Sequence, residues 1–391
     1  MKKVLSLGLA AVMALSLTAC GGGEQAPAAE GNTATEGEAV FKIGGIGPVT
    51  GGTAVYGLAV QNGAQLAVDE INAAGGINGY PVEFKFADDE NDQEKSVNAY
   101  NSLKDWGMQM LVGTTTSNPC VAVAAKSAED NLFQLTPSGS AVECAANPNV
   151  FRVCFSDPAQ GAASAKYIGE HKLATKIAVI YDSSDVYSTG IYETFAAEAP
   201  KQGLEIVSAE AFTADNKTDF TTQLQKAKDG GAELVFLPFY YTEASLVLKQ
   251  ADTMGFDPLF FGCDGMDGIL QVEGFDAALA EGLMLLTPFA ADATDEMTVN
   301  FVTSYEEKFG ETPIQFAADS YDAVYAIKAA IEDAGATPDM SVSDLCEALK
   351  ASMVKITVDG LTGAGMTWTP EGEPNKEPKA VVVKDGAYNA M

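Results

Sequence analysis

The sequence predicts an α/β fold made of two doubly wound lobes, and three observations support this prediction. Short β-rich runs alternate with longer stretches of helical periodicity from Val40 onward, which is the pattern of parallel sheets covered by helices on both faces. The alternation runs through two similar series, which divide near Ser156-Asp157-Pro158. About 350 residues follow the N-terminal segment, a length that can bury two separate cores.

The first series alternates four strands with three helices. Its first helix carries apolar residues at helical spacing and ends at Gly75-Gly76, a pair that stops helices. The predicted strands are Phe41–Ile46, Val82–Ala87, Met110–Val112 and Phe133–Leu135. The predicted helices are Leu58–Ala73, Glu94–Trp106 and Ala122–Asp130.

The second series repeats this alternation and is followed by three further helices and two strands. The predicted helices are Ala159–Glu170, Ile191–Lys201, Phe220–Lys228, Ser245–Met254, Thr298–Phe309, Ala317–Ala334 and Ser343–Ala351. The predicted strands are Lys176–Tyr181, Glu205–Ala211, Leu234–Leu237, Pro258–Phe261, Gly282–Leu286, Met366–Trp368 and Ala380–Val383. Breaks near 156–158, 287–288 and 360–361 are the expected crossings between lobes. We therefore predict a first lobe of residues 40–156 plus 288–360 and a second lobe of residues 157–287 plus 361–391.

The N-terminal segment has the pattern of a secretory signal. Lys2 and Lys3 precede the apolar run 4–15, which is too short to span a bilayer and is followed by Leu17-Thr18-Ala19-Cys20. This ending resembles a bacterial lipobox, so residues 1–20 are predicted to be a lipoprotein signal peptide with Cys20 as the lipidated residue. Residues 21–39 lack large apolar side chains and predict a flexible tether. We therefore expect an extracytoplasmic protein on the outer face of the cytoplasmic membrane, attached only through its lipid anchor.

The composition argues against several classes of function. The formal net charge is −31, which disfavours nucleic-acid partners and docking on anionic lipid. His171 is the only histidine and lies in a polar segment, so neither a histidine-based triad nor a histidine-ligated metal is expected. We predict a protein that is not an enzyme and uses no metal or cofactor. The cysteines after Cys20 form no CxxC pair, although one disulfide among Cys120, Cys144 and Cys154 is compatible with export.

A series of motifs in a fixed order extends through most of the chain. They are IGGIGPVTGGTAVYG (43–57), GAQLAVDEINAAGGING (63–79), GTTTSNP (113–119), TPSGS (136–140), KIAVIYDSSDVYSTG (176–190), PFYYTEAS (238–245), FGCDG (261–265) and FAADSYDAVYAIKAA (316–330). In this order and spacing the chain, from Phe41 onward, resembles the leucine/isoleucine/valine-binding protein family, the substrate-binding lipoproteins of branched-chain amino-acid ABC transporters. The resemblance implies a type I periplasmic binding protein fold, in which three strands join two lobes that close on a ligand in the cleft.

The candidate ligand contacts of the first lobe follow its strands. Ser117 precedes Asn118-Pro119 and a helix, and such a helix start would direct N–H groups and a positive dipole end toward a carboxylate. An ordinary capped helix is the alternative. The resemblance adds Ser138-Gly139-Ser140, whose hydroxyls and bare backbone would bind the carboxylate and ammonium of the ligand, with a plain turn as the alternative. It also implies that Tyr56 is an aromatic lid at the rim of the lobe, unless this ring only packs at a helix start.

The candidate contacts of the second lobe are three tyrosines and one acid. Tyr187 lies just after a predicted strand, and Tyr240-Tyr241 follow another. The resemblance implies that they form cleft walls, although half-buried amphipathic tyrosines need no ligand. Asp264 lies where the family carries an acidic partner for the α-ammonium, commonly a glutamate. The shorter side chain here leaves the ammonium position or the pocket size open, and a solvated loop aspartate is the alternative.

These observations predict a solute-binding lipoprotein that captures an amino acid, of the branched-chain or another apolar class, and delivers it to an ABC transporter. The implied partners are the amino acid and the permease and ATPase subunits, and we expect the protein to be a monomer. Two alternatives stay open. The same fold could bind an amide, a urea-like molecule or an aromatic solute, or it could serve a chemosensory receptor.

Overall fold

The computed structural model describes residues 39–391. The predicted signal peptide, the lipidation site Cys20 and all of the predicted tether except its last residue lie outside these residues. In the described part of the chain, no helix combines the length and the apolar character needed to cross a membrane.

The first sheet consists of five parallel strands in the order β2-β1-β3-β4-β5. The strands are β1 (Phe41–Gly47), β2 (Val82–Asp88), β3 (Met110–Gly113), β4 (Phe133–Thr136) and β5 (Val150–Arg152). The connecting helices are α1 (Ala54–Ala73), α2 (Gln93–Trp106) and α3 (Ser117–Asp130). Strand β5 is not among the predicted strands, because its three residues are too few to produce a recognisable alternation.

The second sheet has seven strands in the order β12-β11-β10-β9-β8-β6-β7. Five of them are parallel, namely β6 (Lys176–Asp182), β7 (Glu205–Phe212), β8 (Leu234–Leu237), β9 (Leu259–Gly262) and β10 (Met284–Thr287). The helices between them are α4 (Asp157–Glu170), α5 (Val186–Glu198), α6 (Thr221–Asp229) and α7 (Tyr241–Thr253). An antiparallel edge is added by β11 (Lys379–Lys384) and β12 (Ala387–Ala390).

Three helices between β10 and β11 return to the first sheet or lie beside it. They are α8 (Glu296–Phe309), α9 (Gln315–Ala334) and α10 (Val342–Met353). The pair α1 and α9 packs very closely at Gly63, where an added Cβ would lie 2.1 Å from the carbonyl oxygen of Ala317. The apolar face of α9 joins the core of the first sheet through Val324, Ile327 and Ile331. The prediction of two α/β lobes is therefore confirmed.

The chain crosses between the sheets three times. The first crossing follows β5 and the second follows β10, close to the predicted breaks. The third differs from the predicted boundary, which assigned residues 361–391 to the second lobe. Met366 and Trp368 are buried in the core of the first sheet, and Trp368 Nε1 donates to the carbonyl oxygen of Arg152 at 2.8 Å. The predicted strand Met366–Trp368 is present only as isolated bridges, and the chain enters the second sheet at β11.

Candidate functional site

A small pocket lies between the two sheets, at the carboxyl ends of their parallel strands, where open α/β sheets usually bind ligands. Its volume is about 10 Å³, room for about one water, so a larger ligand requires the walls to move apart. The residues that line it are Tyr56, Thr115, Thr116, Ser117, Ser138, Tyr187, Tyr240, Asp264, Gly265 and Phe316.

The two lobes are in contact across this pocket, so the structure represents a closed cleft. The hydroxyl of Tyr56, near the start of α1, donates to the carbonyl oxygen of Gly265 in the second lobe. The backbone N–H of Val55 donates to the hydroxyl of Tyr241 at 3.3 Å, and Thr242 Oγ1 donates to the carbonyl oxygen of Gly52. The Tyr56 ring is fully buried and stacks on Phe316 with centroids 4.2 Å apart.

One wall of the pocket is the start of α3. The helix begins at Ser117 with Thr116 as its N-cap residue, so the predicted capping role of Ser117 is wrong. Instead, Ser117 Oγ accepts hydrogen bonds from the backbone N–H groups of Ser140 and Ala141, both at 3.2 Å. Pro119 has no N–H, and the N–H of Cys120 bonds within the helix. The free donors of this helix start are therefore the N–H groups of Ser117 and Asn118.

The adjoining loop 138–142 is held by a buried arginine. Arg152 at the end of β5 is 0 % exposed. Its Nη1 donates to the carbonyl oxygens of Gly139 and Ser140, and its Nη2 donates to those of Ala141, at 3.0 Å, and Val142, at 3.5 Å. Its Nε lies 3.2 Å from Glu373 Oε1, on the segment that precedes the third crossing. The guanidinium group thus fixes the loop that carries Ser138 and Ser140.

The opposite wall consists of two stacked tyrosines around a glycine. The rings of Tyr187 and Tyr240 lie 5.0 Å apart with their planes 12° from parallel. The N–H of Gly265 donates to the hydroxyl of Tyr187 at 2.9 Å. A Cβ at Gly265 would lie 2.6 Å from that hydroxyl and 3.0 Å from the Tyr240 ring. Only glycine therefore fits between these rings without displacing one of them.

Asp264 carries the negative charge of the pocket. Its side chain is 5 % exposed, and Oδ1 accepts a hydrogen bond from the Tyr187 hydroxyl at 2.7 Å. None of the ion pairs among the described residues involves Asp264. The pKa of this carboxyl is raised to about 7, mainly by burial; the Tyr187 hydrogen bond opposes the shift and the nearby Asp319 adds to it. A buried carboxylate of this kind is stabilised by a cation that enters the pocket.

A second buried acid lies just behind the pocket. Asp157, the first residue of α4, is buried, and burial raises its pKa well above the usual value; the Ser140 hydroxyl opposes this shift and the charge of Asp264 adds to it. Asp157 and Asp264 therefore form a pair of buried carboxyls on this side of the cleft.

Comparison with known proteins assigns the chain to a family. Residues 40–387 match the family model described as periplasmic binding protein. The chain belongs to the periplasmic binding protein family. This membership confirms the resemblance inferred from the motifs and indicates that the protein works outside the cytoplasm.

The chain of this periplasmic binding protein is also similar to named members of the family. It is 32% identical over 299 residues to Leu/Ile/Val-binding protein homolog 3 of Brucella melitensis, covering 76% of this chain and 80% of that one. It is 29% identical over 314 residues to the leucine-, isoleucine-, valine-, threonine-, and alanine-binding protein of Pseudomonas aeruginosa, covering 80% and 82% of the two chains.

Two solved structures share its architecture. One is LivJ of Streptococcus pneumoniae, the substrate-binding protein of a branched-chain amino acid transporter, in complex with isoleucine. It has a TM-score of 0.81 and 28% identity, and the match covers 90% of this chain and 98% of that one. The other is the leucine-binding protein LivK of Thermotoga maritima, with a TM-score of 0.80, 26% identity and the same coverage.

The pocket of this periplasmic binding protein brings together six of the nine residues predicted from the sequence. They are Tyr56, Ser117, Ser138, Tyr187, Tyr240 and Asp264. Gly139, Ser140 and Tyr241 do not line the pocket. Gly139 and Ser140 lie behind Ser138, held by Thr136 and Arg152, and Tyr241 contacts the start of α1.

Sequence reasoning missed four lining residues and one supporting contact of this binding protein. Thr115, Thr116 and Gly265 belong to quoted motifs, so attention to each whole strand end would have found them. Phe316 is also in a quoted motif, but it has the pattern of an ordinary apolar residue of a buried helix. Gln315 Nε2 donates to the carbonyl oxygen of Asp264 at 2.6 Å, and nothing in the sequence indicated this contact.

The cysteines differ from the expectation of a disulfide. The five that the structure describes are free and buried thiols, namely Cys120, Cys144, Cys154, Cys263 and Cys346. Cys120 and Cys144 nevertheless pack in one small cluster with Ala141, behind the loop that Arg152 holds.

Proposed function

We propose that this protein binds a free amino acid in the closed cleft between its lobes. The observation that carries the proposal is Asp264, a buried carboxylate that lines the pocket and has no cationic side chain as partner. A ligand ammonium would supply that partner. The free N–H groups at the start of α3 suit the ligand carboxylate. The hydroxyls of Thr115, Thr116 and Ser138 already donate to oxygens of the protein, so they line the first lobe as acceptors.

The side chain of the ligand belongs to the apolar, branched-chain class. Aromatic rings of Tyr56, Phe316, Tyr187 and Tyr240 line the pocket, and no Lys, Arg or His does. Such rings bury apolar surface without a charge to match a polar ligand side chain. The isoleucine complex of the similar LivJ and the names of the relatives support the same class.

The protein delivers this ligand to the permease and ATPase subunits of an ABC transporter, and it performs no chemistry on it. The similar LivJ is the substrate-binding protein of such a transporter. Delivery needs a reversible closure of the lobes on the ligand, which is the usual behaviour of two-lobed binding proteins. The ligand contacts are divided between the lobes, so the ligand would stabilise the closed arrangement.

A thermal-shift screen of the twenty amino acids tests the proposed binding. A ligand that binds only the folded protein raises the free energy of unfolding by about 2.7 kcal/mol at a hundredfold excess over its dissociation constant. We expect leucine, isoleucine and valine to raise the melting temperature, and aspartate and lysine to leave it unchanged. If none of the twenty raises it, the proposed function is wrong.

The lipid anchor is the second part of the proposal, and it rests on the lipobox-like ending at Cys20. We expect the protein to be attached through Cys20 to the outer face of the cytoplasmic membrane. The Cys20→Ser variant should lose both the anchor and label from a radioactive fatty acid, and should leave the membrane fraction. A variant that still carries the label would contradict the assignment of Cys20.

A further inference from the structure

A second and larger cavity lies to the side of the cleft and is formed by both lobes. Its volume is about 620 Å³, which is within the usual range of small-molecule sites. The first lobe contributes Val55 and Leu58 of α1, and the second contributes Leu270, Val381 and Tyr388. The segment from Thr287 to Asp292 after β10, helix α8 and the segment 311–314 complete the cavity.

The charges that line this cavity all have one sign. The acidic side chains are Asp267, Asp292, Glu306 and Glu311, and no Lys, Arg or His lines it. Asp292, Glu306 and Glu311 lie at the rim and are contacted by neutral groups. For example, the hydroxyl of Thr312 donates to Glu306 Oε1 at 2.8 Å. The cavity can therefore attract a cation, but it offers no charged side chain to a carboxylate.

Asp267 is the deepest of these acids, and no ion pair among the described residues involves it. It is 5 % exposed, and its Oδ2 accepts a hydrogen bond from the N–H of Gln315 at 2.9 Å. Its Oδ1 is buried, and burial raises the pKa of this carboxyl, which the neighbouring Tyr388 hydroxyl helps to lower. A buried carboxylate without a cationic partner is costly to keep charged, and a ligand cation would offset that cost.

The remaining surface of the cavity is largely apolar. Leu58 is 42 % exposed at its edge, although most large apolar side chains of α1 are buried. Phe289, Val302 and Ile314 continue this surface around the cavity. Apolar walls around a single deep acid suit a molecule with an ammonium group at one end and a hydrocarbon chain at the other.

We propose that this cavity is a second binding site, which takes a small organic amine with an apolar chain. The ammonium group would pair with the Asp267 carboxylate, and the chain would lie against Leu58, Leu270, Phe289 and Val302. A free amino acid would bind poorly because its carboxylate would face only acids. Since both lobes form the walls, an amine bound here would favour the closed cleft.

Calorimetric titration of the protein with n-hexylammonium chloride near neutral pH tests this site. We expect saturable binding at one site, and binding of the neutral 1-hexanol that is weaker by roughly tenfold or more. Binding should persist in the presence of saturating leucine. If leucine displaces the amine, the amine occupies the amino-acid pocket and the proposal is wrong. If the protein binds no amino acid, the amine titration remains a complete test.

Two variants separate this cavity from a general attraction to an acidic surface. Asp267→Asn removes the charge, and Ala291→Trp fills the cavity without changing any charge. Each should weaken amine binding by roughly tenfold or more. Glu273→Gln removes an exposed charge outside the cavity and should leave amine binding unchanged. Equal binding of hexylammonium by the parent protein and Ala291→Trp would overturn the proposal, as would an absence of saturable binding.

Discussion

Asp264 is the residue on which recognition of the ligand depends. A carboxylate that is 5 % exposed and has one hydroxyl donor is costly to keep charged. The α-ammonium of an amino acid removes that cost by forming an ion pair in a water-excluded pocket. The affinity should therefore respond more strongly to the charge at Asp264 than to any hydroxyl of the pocket.

Substitution of Asp264 tests this directly. Asp264→Asn keeps the volume but loses the charge, and removing one side of a buried ion pair costs about 2–5 kcal/mol. Affinity for the amino acid should fall roughly thirtyfold to several thousandfold. Ser117→Ala should cost less, about 1–2 kcal/mol, because it removes two neutral hydrogen bonds to the loop backbone. Calorimetry on both variants measures the order, and near-native affinity in Asp264→Asn would show that the ammonium binds elsewhere.

The pH dependence of binding is a second consequence at this residue. Burial raises the pKa of Asp264 to about 7, and a bound ammonium favours the ionised form. Protons therefore compete with the ligand, and affinity should fall roughly tenfold from about pH 8 to about pH 6. The same titration on Asp264→Asn should lose most of this dependence. An affinity that is constant over this range in the parent protein would contradict the assigned role.

At the scale of elements, the loop 138–142 depends on the strand beside it. Arg152 at the end of β5 donates to four carbonyl oxygens of this loop and pairs with Glu373. The loop presents Ser138 to the pocket and packs against Ser117 of α3. One guanidinium group therefore joins a ligand-contacting loop to the segment that leads into the third crossing.

Arg152→Lys tests this arrangement, because lysine keeps the charge and loses the planar, forked set of donors. The free energy of unfolding should fall by about 2–3 kcal/mol through unmade hydrogen bonds, and amino-acid affinity should fall with it. Glu373→Gln is the matched control, since it removes the ion pair but leaves all four carbonyl contacts intact. If Arg152→Lys binds as tightly as the parent protein, the loop does not depend on the guanidinium group.

Some of the helices and strands could be predicted from the sequence, and others could not. Long periodic elements such as α1 and α9 were predicted with boundaries a few residues from those observed. Strand β5 and the role of Ser117 were not, because a three-residue strand has no period and a capping pattern can fit Thr116 as well. Trp368 was assigned to the wrong lobe because its partner, the Arg152 carbonyl, is 216 residues away in the chain.

Several buried acids together affect the stability of the whole molecule. Burial raises the pKa values of Asp89 and Asp264 to about 7, and those of Asp185, Asp267 and Asp319 to about 6. The folded protein therefore binds more protons than the unfolded chain between about pH 4 and pH 7, and stability decreases as the pH rises through this window.

The unliganded protein should therefore become more stable as the pH is lowered from about 8 to about 5. Urea unfolding at several pH values measures this trend. As the pH is lowered, stability should rise while amino-acid affinity falls. Acid unfolding therefore cannot be the cause of the loss of affinity. A free energy of unfolding that falls steadily over the same range would show that these carboxyls are ionised and paired in the folded state.

For the whole molecule, the motif order predicted the two-lobed fold and the family, and both are confirmed. It also predicted six residues that line one pocket, because strand ends of parallel sheets meet at one edge. It did not reveal the cavity beside the cleft. That cavity is formed by segments from six parts of the chain, and of its lining residues only Val55 lies in one of the motifs.

The central claim is that the closed cleft recognises both charged ends of an amino acid, one from each lobe. Calorimetric titration with L-leucine, 4-methylpentanoate and 3-methylbutylamine tests it, since the last two lack the ammonium and the carboxylate respectively. We expect leucine to bind and each analogue to displace it from the cleft only at a concentration higher by roughly a hundredfold or more, corresponding to about 2.8 kcal/mol. Binding of 4-methylpentanoate as tight as that of leucine would contradict the account, because Asp264 would then face a ligand without a cation.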